Sequence, residues 1–380
     1  MEILELPLHA SHLRLGAKLI EQNGWSVPES YGDVSLEYAE VRDGGCGLID
    51  LSNRGRILVS GTEAVQFLNG LITNDMKTLD LDSWMAAAFP SVQGRLIASV
   101  RVVRLKDDET DKKVSPVFLI DTEEATFERT LKTIERFTLA GDFRVTDVTN
   151  QTAQLSLKGR NAAEVVRATL GDKAADLLPR QSVQMAWPAG RQNGVPDDAT
   201  HTLIVMRESN ASEDGFGFVV NADQAGSLWE ALQDAGARPV GHAALEILRV
   251  EAGVPRYGVD MDETNVVTET ALDDAISYTK GCYVGQEIIA RIKYRGHVAK
   301  KLTGVSFEQP VKVPVGSAIH SADGKEAGRI TSVTDSPRLG RTIALAYLKY
   351  DYLAAGTSVK VNSGADVFEA TVTELPFVRE

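Results

Sequence analysis

The sequence predicts an α+β fold closed by a small C-terminal β-domain. Three observations carry that reading. Up to Lys301, strand-like and helix-like segments are mixed without the regular βαβ alternation of a doubly wound sheet. From Leu302 to Val378, short strand-like pieces alternate with Gly, Pro, Asn and Asp turns, and helical periodicity is largely absent, as in a small barrel or sandwich. The length, 380 residues, is enough for two or three domains.

Taken in order, His12 to Gln22 places Leu13, Ala17 and Ile20 on one helical face, and Asn23-Gly24 would stop that helix. A second amphipathic helix is expected from Val34 to Val41, before Gly44-Gly45. Arg56 to Ser60 reads as a strand, and Thr62 as the N-cap of a short helix Glu63 to Leu68. Strands at Trp84 to Phe89, Leu96 to Leu105 and Val117 to Ile120 form an antiparallel group, with Lys106 to Lys113 as a charged hairpin tip. A helix capped by Asp121-Thr122 runs to about Phe137. Two strand-like runs between Phe143 and Leu157 precede a helix from Ala162 to Leu170. Trp187 to Thr200 is rich in Pro, Gly, Asn and Asp and reads as a loop. Strands at Leu203 to Met206 and Phe216 to Val220 are followed by helices at Gln224 to Asp234 and Ala243 to Val250. In the last region, Asp323-Gly324 signals a hairpin and Asn362-Ser363-Gly364 another turn.

Hydrophobic residues make up 43% and charged residues 24%, as in a water-soluble globular chain. No apolar run approaches the roughly 18 residues of a membrane helix. Met1 to Leu8 holds two glutamates and no basic cluster, so no secretory or transit signal is visible. Two cysteines, Cys46 and Cys282, cannot make a disulfide framework. A cytoplasmic location is expected. The net charge of −13 opposes a nucleic-acid-coating surface, and direct nucleic-acid binding is not expected. One basic strip, Arg291 to Lys301, could draw an anionic ligand, an RNA backbone included, or be a solvated edge. None of the six histidines has metal-ligand spacing, no Cys-x-x-Cys occurs, and no P-loop or dinucleotide glycine pattern is present, so no metal site is expected.

The stretch richest in chemistry is Lys280-Gly281-Cys282-Tyr283-Val284-Gly285-Gln286-Glu287. A thiolate is the reactive form of cysteine, and Lys280 or the start of a helix near Gln286 would favour it. The apolar spacing of Ile288, Ile289 and Ile292 predicts that helix. The plainer reading is that Cys282 is a small buried apolar residue, which is what most free cysteines are.

This octapeptide resembles the signature of the YgfZ-type folate-binding proteins, relatives of the glycine-cleavage T-protein (aminomethyltransferase). Further stretches resemble the same superfamily in the same order: Leu15 to Lys18 with Gly24-Trp25, Gly47 to Ser52, Leu71 to Asp75, Leu248 to Pro255, and Tyr257 to Asp260. The resemblance implies two interleaved α/β domains over residues 1–295 and a C-terminal β-barrel over 300–380, around a central channel. It also implies tetrahydrofolate, or a folate derivative, as cofactor. In the YgfZ-like branch the implied role is accessory: support of iron–sulfur enzymes, tRNA modification among them, through Cys282 and Lys280, with iron–sulfur proteins as partners. Asn74, Asp75, Arg249, Tyr257, Gln286 and Glu287 are the expected folate-contacting set. Each has a plainer reading beside it: Asn74-Asp75 as a turn or cap, Arg249 as a helix-surface ion pair, Tyr257 as aromatic core.

Two departures from the transferase favour the accessory role. The stretch Gln93 to Arg101, which corresponds to a transferase segment with paired acids, holds no acid. In Glu213 to Phe218, which resembles E-D-G-[FY]-E-[IV], the later acid is Gly217. A carboxylate that could pair with pterin N–H donors is therefore missing unless a neighbour such as Glu213 or Asp214 substitutes. The alternative function, a folate-dependent aminomethyl or other one-carbon transferase, requires another carboxylate to reach the folate amine.

Overall fold

A computed structural model describes residues 3–108, 114–139, 141–187, 201–210 and 213–379. Most of the expected Lys106–Lys113 tip and the 187–200 loop lie outside them. The chain divides into two units. The first comprises Met1–Gly70, Asp75–Ala87 and Val100–Leu245, and the second Leu71–Asn74, Ala88–Ser99 and Glu246–Glu380.

The first unit opens differently from the sequence expectation. His12 to Gln22 is not one helix: a helix at His9–Arg14 gives way to a strand at Lys18–Gln22, which pairs antiparallel with Trp25–Ser30. Gly16 at φ +77° ends the helix. Asn23 and Gly24 both take positive φ, 49° and 84°. That is the pair of conformations a two-residue hairpin turn demands, so Asn-Gly here joins strands. The helix is anchored from inside. His12, fully buried, lies 2.9 Å from Asp50 Oδ2 through Nε2 and 2.7 Å from the Tyr31 hydroxyl through Nδ1.

A six-stranded sheet forms the body of this unit, in the order Ser182–Trp187, His201–Asn210, Glu213–Asn221, Thr152–Lys158, Gly47–Asp50, Arg238–Pro239. Strand periodicity sorts its side chains onto two faces. Leu155, Leu157, Val205, Phe216 and Phe218 join the core that contains Val165 and Val166 of the helix Ala162–Leu170 and Leu228 and Trp229 of Ala225–Asp234. The alternate residues, Ile204, Met206 and Val219, meet Val103, Leu105 and Leu119 of a second sheet. That five-stranded sheet runs Ser83–Pro90, Leu96–Asp108, Ser115–Thr122, Gly55–Ser60, Arg144–Asp147. The expected strands and the helices at 34–41, 162–170, 224–234 and 243–250 are present with boundaries shifted by a few residues at most.

The second unit contains a closed six-stranded barrel in the order Lys300–Ser306, Arg341–Lys349, Glu326–Ser336, Ala318–Ser321, Ser358–Ser363, Asp366–Thr373. Val305, Ile330, Ala344, Val359 and Val361 fill it. Both expected turns are there, with Gly324 at φ +83° and Gly364 at φ +63°. No helix among the described residues is long and apolar enough to cross a membrane.

Candidate functional site

The cysteine loop belongs to the second unit and is built by backbone. The helix Gln286–Arg295 begins after Gly285, which sits at φ +77°. A Cβ there would come 2.4 Å from the carbonyl oxygen of Ser91, so only glycine fits. Gln286 donates from Nε2 to the carbonyl oxygens of Gly281, at 3.2 Å, and Lys280, at 3.4 Å, holding the loop against the helix start. Cys282 is exposed. Lys280 is buried, donating to the carbonyls of Ile72 at 3.0 Å and Asn74 at 2.6 Å, with its ammonium 5.0 Å from the Tyr283 ring centre. The octapeptide thus has a local structural account: Lys280, Gly285 and Gln286 shape the turn that carries Cys282.

The other residues singled out in the sequence lie in several places. Asn74 accepts from Lys280 and donates from its amide to the carbonyl of Asp274. Asp75 caps the short turn Met76–Thr78, accepting from the Lys77 amide at 3.0 Å. Arg249 is a hub for Glu246, Asp260 (2.7 Å) and Ser332 (2.7 Å), so it pairs within the fold. Tyr257 is buried beside Met261 and Tyr283 and donates to Glu263 at 3.0 Å. Glu287 is exposed in the first turn of its helix. The basic strip is partly engaged: Lys301 pairs with Asp273 at 2.8 Å, His297 stacks on Tyr350 at 3.8 Å, and Lys293 lies 4.9 Å from the Tyr278 ring centre. Among the described residues no cluster of His, Cys, Asp or Glu could hold a metal ion.

A second constellation, which the sequence reading did not single out, lies between the two sheets of the first unit. Two carboxylates, Asp121 buried and Glu208 with 11% of its side chain exposed, share the Arg101 guanidinium there. Asp121 accepts from Arg54 Nε at 2.6 Å and Gln154 Nε2 at 3.2 Å, with Arg101 at 3.8 Å. Glu208 is bound by Arg101 Nη1 and accepts from the Ser156 hydroxyl at 3.3 Å. Burial alone would push both acids up. Arg54 and Arg101 outweigh it for Asp121, and Arg101 and Lys158 for Glu208, so both are held below their ordinary values and ionised. Arg101 in turn lies over the Trp84 ring, 4.8 Å from its centre.

Glu208 owes its position to Gly217. The strand His201–Asn210 pairs with Glu213–Asn221 so that Met206 faces Gly217, and Ser156 faces it from the other side. A Cβ at residue 217 would stand 2.3 Å from Glu208 Oε1. The carboxylate of one strand therefore fills the side-chain space of its neighbour. Asp214, the substitute considered from the sequence, is bound to Arg207, and the side chain of Glu213 lies outside the described residues. The signal for Arg101 was present in its alternation with Val103 and Leu105 along one strand face. Glu208 had no local signal, because its place depends on pairing with a distant strand.

Mixed helices and sheets in one unit and a closed six-stranded barrel in the other define a chain of the aminomethyltransferase fold. The comparisons say which family. Residues 8–280 match the family model "GCVT N-terminal domain" and 300–379 match "Glycine cleavage T-protein C-terminal barrel domain". Proteins named aminomethyltransferase from Geobacillus kaustophilus and Symbiobacterium thermophilum are each 30% identical; the alignments cover 98% of this chain in both cases and 98% and 96% of those proteins. The crystal structure of the glycine cleavage system aminomethyltransferase T from Bartonella henselae shares the fold, with a TM-score of 0.85 at 24% identity over 99% of this chain and 98% of that one. The chain belongs to the glycine cleavage T-protein family.

These findings correct the branch assigned from the octapeptide. Relatives aligned along almost the whole chain carry the aminomethyltransferase name, and the YgfZ-type assignment falls with its iron–sulfur and tRNA-modification roles. Eight residues whose spacing is required by a glycine turn weigh less than a match along the full length.

Proposed function

We propose that this protein is a tetrahydrofolate-dependent aminomethyltransferase, moving an aminomethyl carbon to the folate. The observation that carries this reading is the ionised Glu208 in the side-chain space of Gly217. It bears on the second of the two departures noted in the sequence, the acid missing at residue 217, by placing a carboxylate of the neighbouring strand there. The residues fit a pterin. A reduced pterin ring is rich in N–H donors and needs buried acceptors. Glu208 has acceptor capacity beyond Arg101 and Ser156, and Gln154 Oε1 is buried without a hydrogen-bond partner.

In this reading tetrahydrofolate supplies the amine that receives the carbon. The chain's own contribution is electrostatic. A carboxylate held well below its ordinary pKa keeps its negative charge, which stabilises positive charge developing on a nearby nitrogen. Arg101 fixes its direction, and Trp84 fixes Arg101. Lys280, Gln286 and Asn74 shape the loop of Cys282, whose exposed thiol would be a secondary contributor. Among the folate-contacting residues expected from the sequence, Arg249, Tyr257, Asp75 and Glu287 would act through the scaffold or not at all.

The test is turnover of an aminomethyl donor by the purified chain with and without tetrahydrofolate. We expect folate-dependent turnover that Glu208→Gln abolishes. A wild-type chain that neither binds tetrahydrofolate nor turns over the donor would sink the proposal.

A further inference from the structure

A cleft of about 610 Å³ opens between the two sheets of the first unit, and none of the residues that bind Glu208 or Asp121 lines it. Its walls are aliphatic on both sides: Leu58, Leu105, Val117 and Leu119 from one sheet, Ile204 and Val219 from the other. Branched side chains of this length leave the space unfilled, since no aromatic ring lines it. Leu58 and Val117 are only half-buried. Apolar wall open to water is unfavourable and marks a binding surface more often than it is left bare. The volume falls within the range of small-molecule sites.

The rim supplies the polar half of the argument. The Lys106 main-chain amide donates to Gln184 Oε1 at 2.6 Å, which holds the Gln184 side chain at the edge of the cleft that Lys106 also lines. Among the described residues the exposed Lys106 ammonium has no acid partner, and Gln184 Nε2 has no acceptor. Two free donors at the mouth of an aliphatic slot suit a carboxylate on an apolar body. Asp223 on the same rim disfavours a dianion.

We infer that this cleft binds an apolar monocarboxylate, its chain between the sheets and its carboxylate at Lys106 and Gln184. Such a site is separate from the folate reading and does not depend on it.

The test is calorimetric titration of the full chain with decanoate, with and without tetrahydrofolate. We expect saturable binding of one decanoate per chain, unaffected by the folate. Lys106→Ala, an exposed position, should weaken it about tenfold, the worth of one charge-assisted hydrogen bond. Val117→Trp, which fills the cleft, should remove it, and decanol should bind about tenfold more weakly than decanoate. No saturable binding to the wild type, equal affinity in the Lys106→Ala or Val117→Trp chain, equal affinity for decanol, or competition with tetrahydrofolate would each overturn the inference. If Val117→Trp fails to fold, Lys106→Ala and the decanol comparison still decide it.

Discussion

Glu208 occupies the volume that a side chain at residue 217 would need: its Oε1 lies 2.3 Å from where a Cβ on Gly217 would stand. The acid and the glycine are therefore one feature, and substitutions at the two positions should not add. Gly217→Glu alone brings two carboxylates together in a buried place and should cost about 1–3 kcal/mol through overpacking, with like-charge repulsion on top. Glu208→Thr with Gly217→Glu should recover most of that loss. Thermal melts of the two single variants and the double variant check this coupling; strict additivity would contradict it.

Acid should weaken the first unit through the same layer. Asp121 and Glu208 both titrate below their ordinary values of 3.8 and 4.5. A carboxylate depressed in the folded state contributes stability that is full above its unfolded pKa and is lost as pH falls through the folded one. Melting temperature should therefore be flat from neutral pH to about 5 and fall steeply below 4. Asp121→Asn should flatten that acid limb while lowering stability at pH 7.

Arg56 tests how far the sheets depend on one cation. It is fully buried and, among the described residues, bonded to no acid. Its guanidinium donates to Thr152 Oγ1 at 2.7 Å and to the carbonyls of Arg54 at 2.7 Å, Ser52 at 3.1 Å, and Thr149 at 2.6 Å. Arg56→Met would strip acceptors that water cannot reach, and the loss should be on the order of 3 kcal/mol. A denaturant titration showing less than about 1 kcal/mol would mean that the carbonyls find other donors.

The two cysteines should differ sharply toward a thiol reagent. Cys282 is exposed, whereas Cys46 is buried, and burial with Glu40 nearby pushes its thiol up to about 12. One thiol per chain should react within seconds in the native protein, and the second only after denaturation. Gly285→Ala, forced against the Ser91 carbonyl, should lower the melting temperature and change the rate at Cys282 without changing that at Cys46.

The barrel, its turns and most helices were legible because each rests on local periodicity and turn chemistry. The first segment was misread: Asn23-Gly24 ends helices and joins strands alike, and only the partner strand Trp25–Ser30 decides between them. Asp121-Thr122, expected to cap a helix, instead ends the strand Ser115–Thr122, and Glu123 takes the N-cap position. The site divided in the same way. Lys280 to Glu287 stands out as a contiguous run. Arg101, Asp121 and Glu208 come from strands far apart in sequence, and no window of residues contains their meeting. Eight contiguous residues accordingly pointed to the wrong branch, while Gly217, read as a missing acid, gave no sign of the Glu208 carboxylate beside it.

The second unit borrows Leu71–Asn74 and Ala88–Ser99 from the early part of the chain. A nascent chain emerging from the ribosome consequently carries two segments whose companions in the second unit, from Glu246 onward, have yet to be synthesised. No single scission can therefore liberate either unit as one uninterrupted piece.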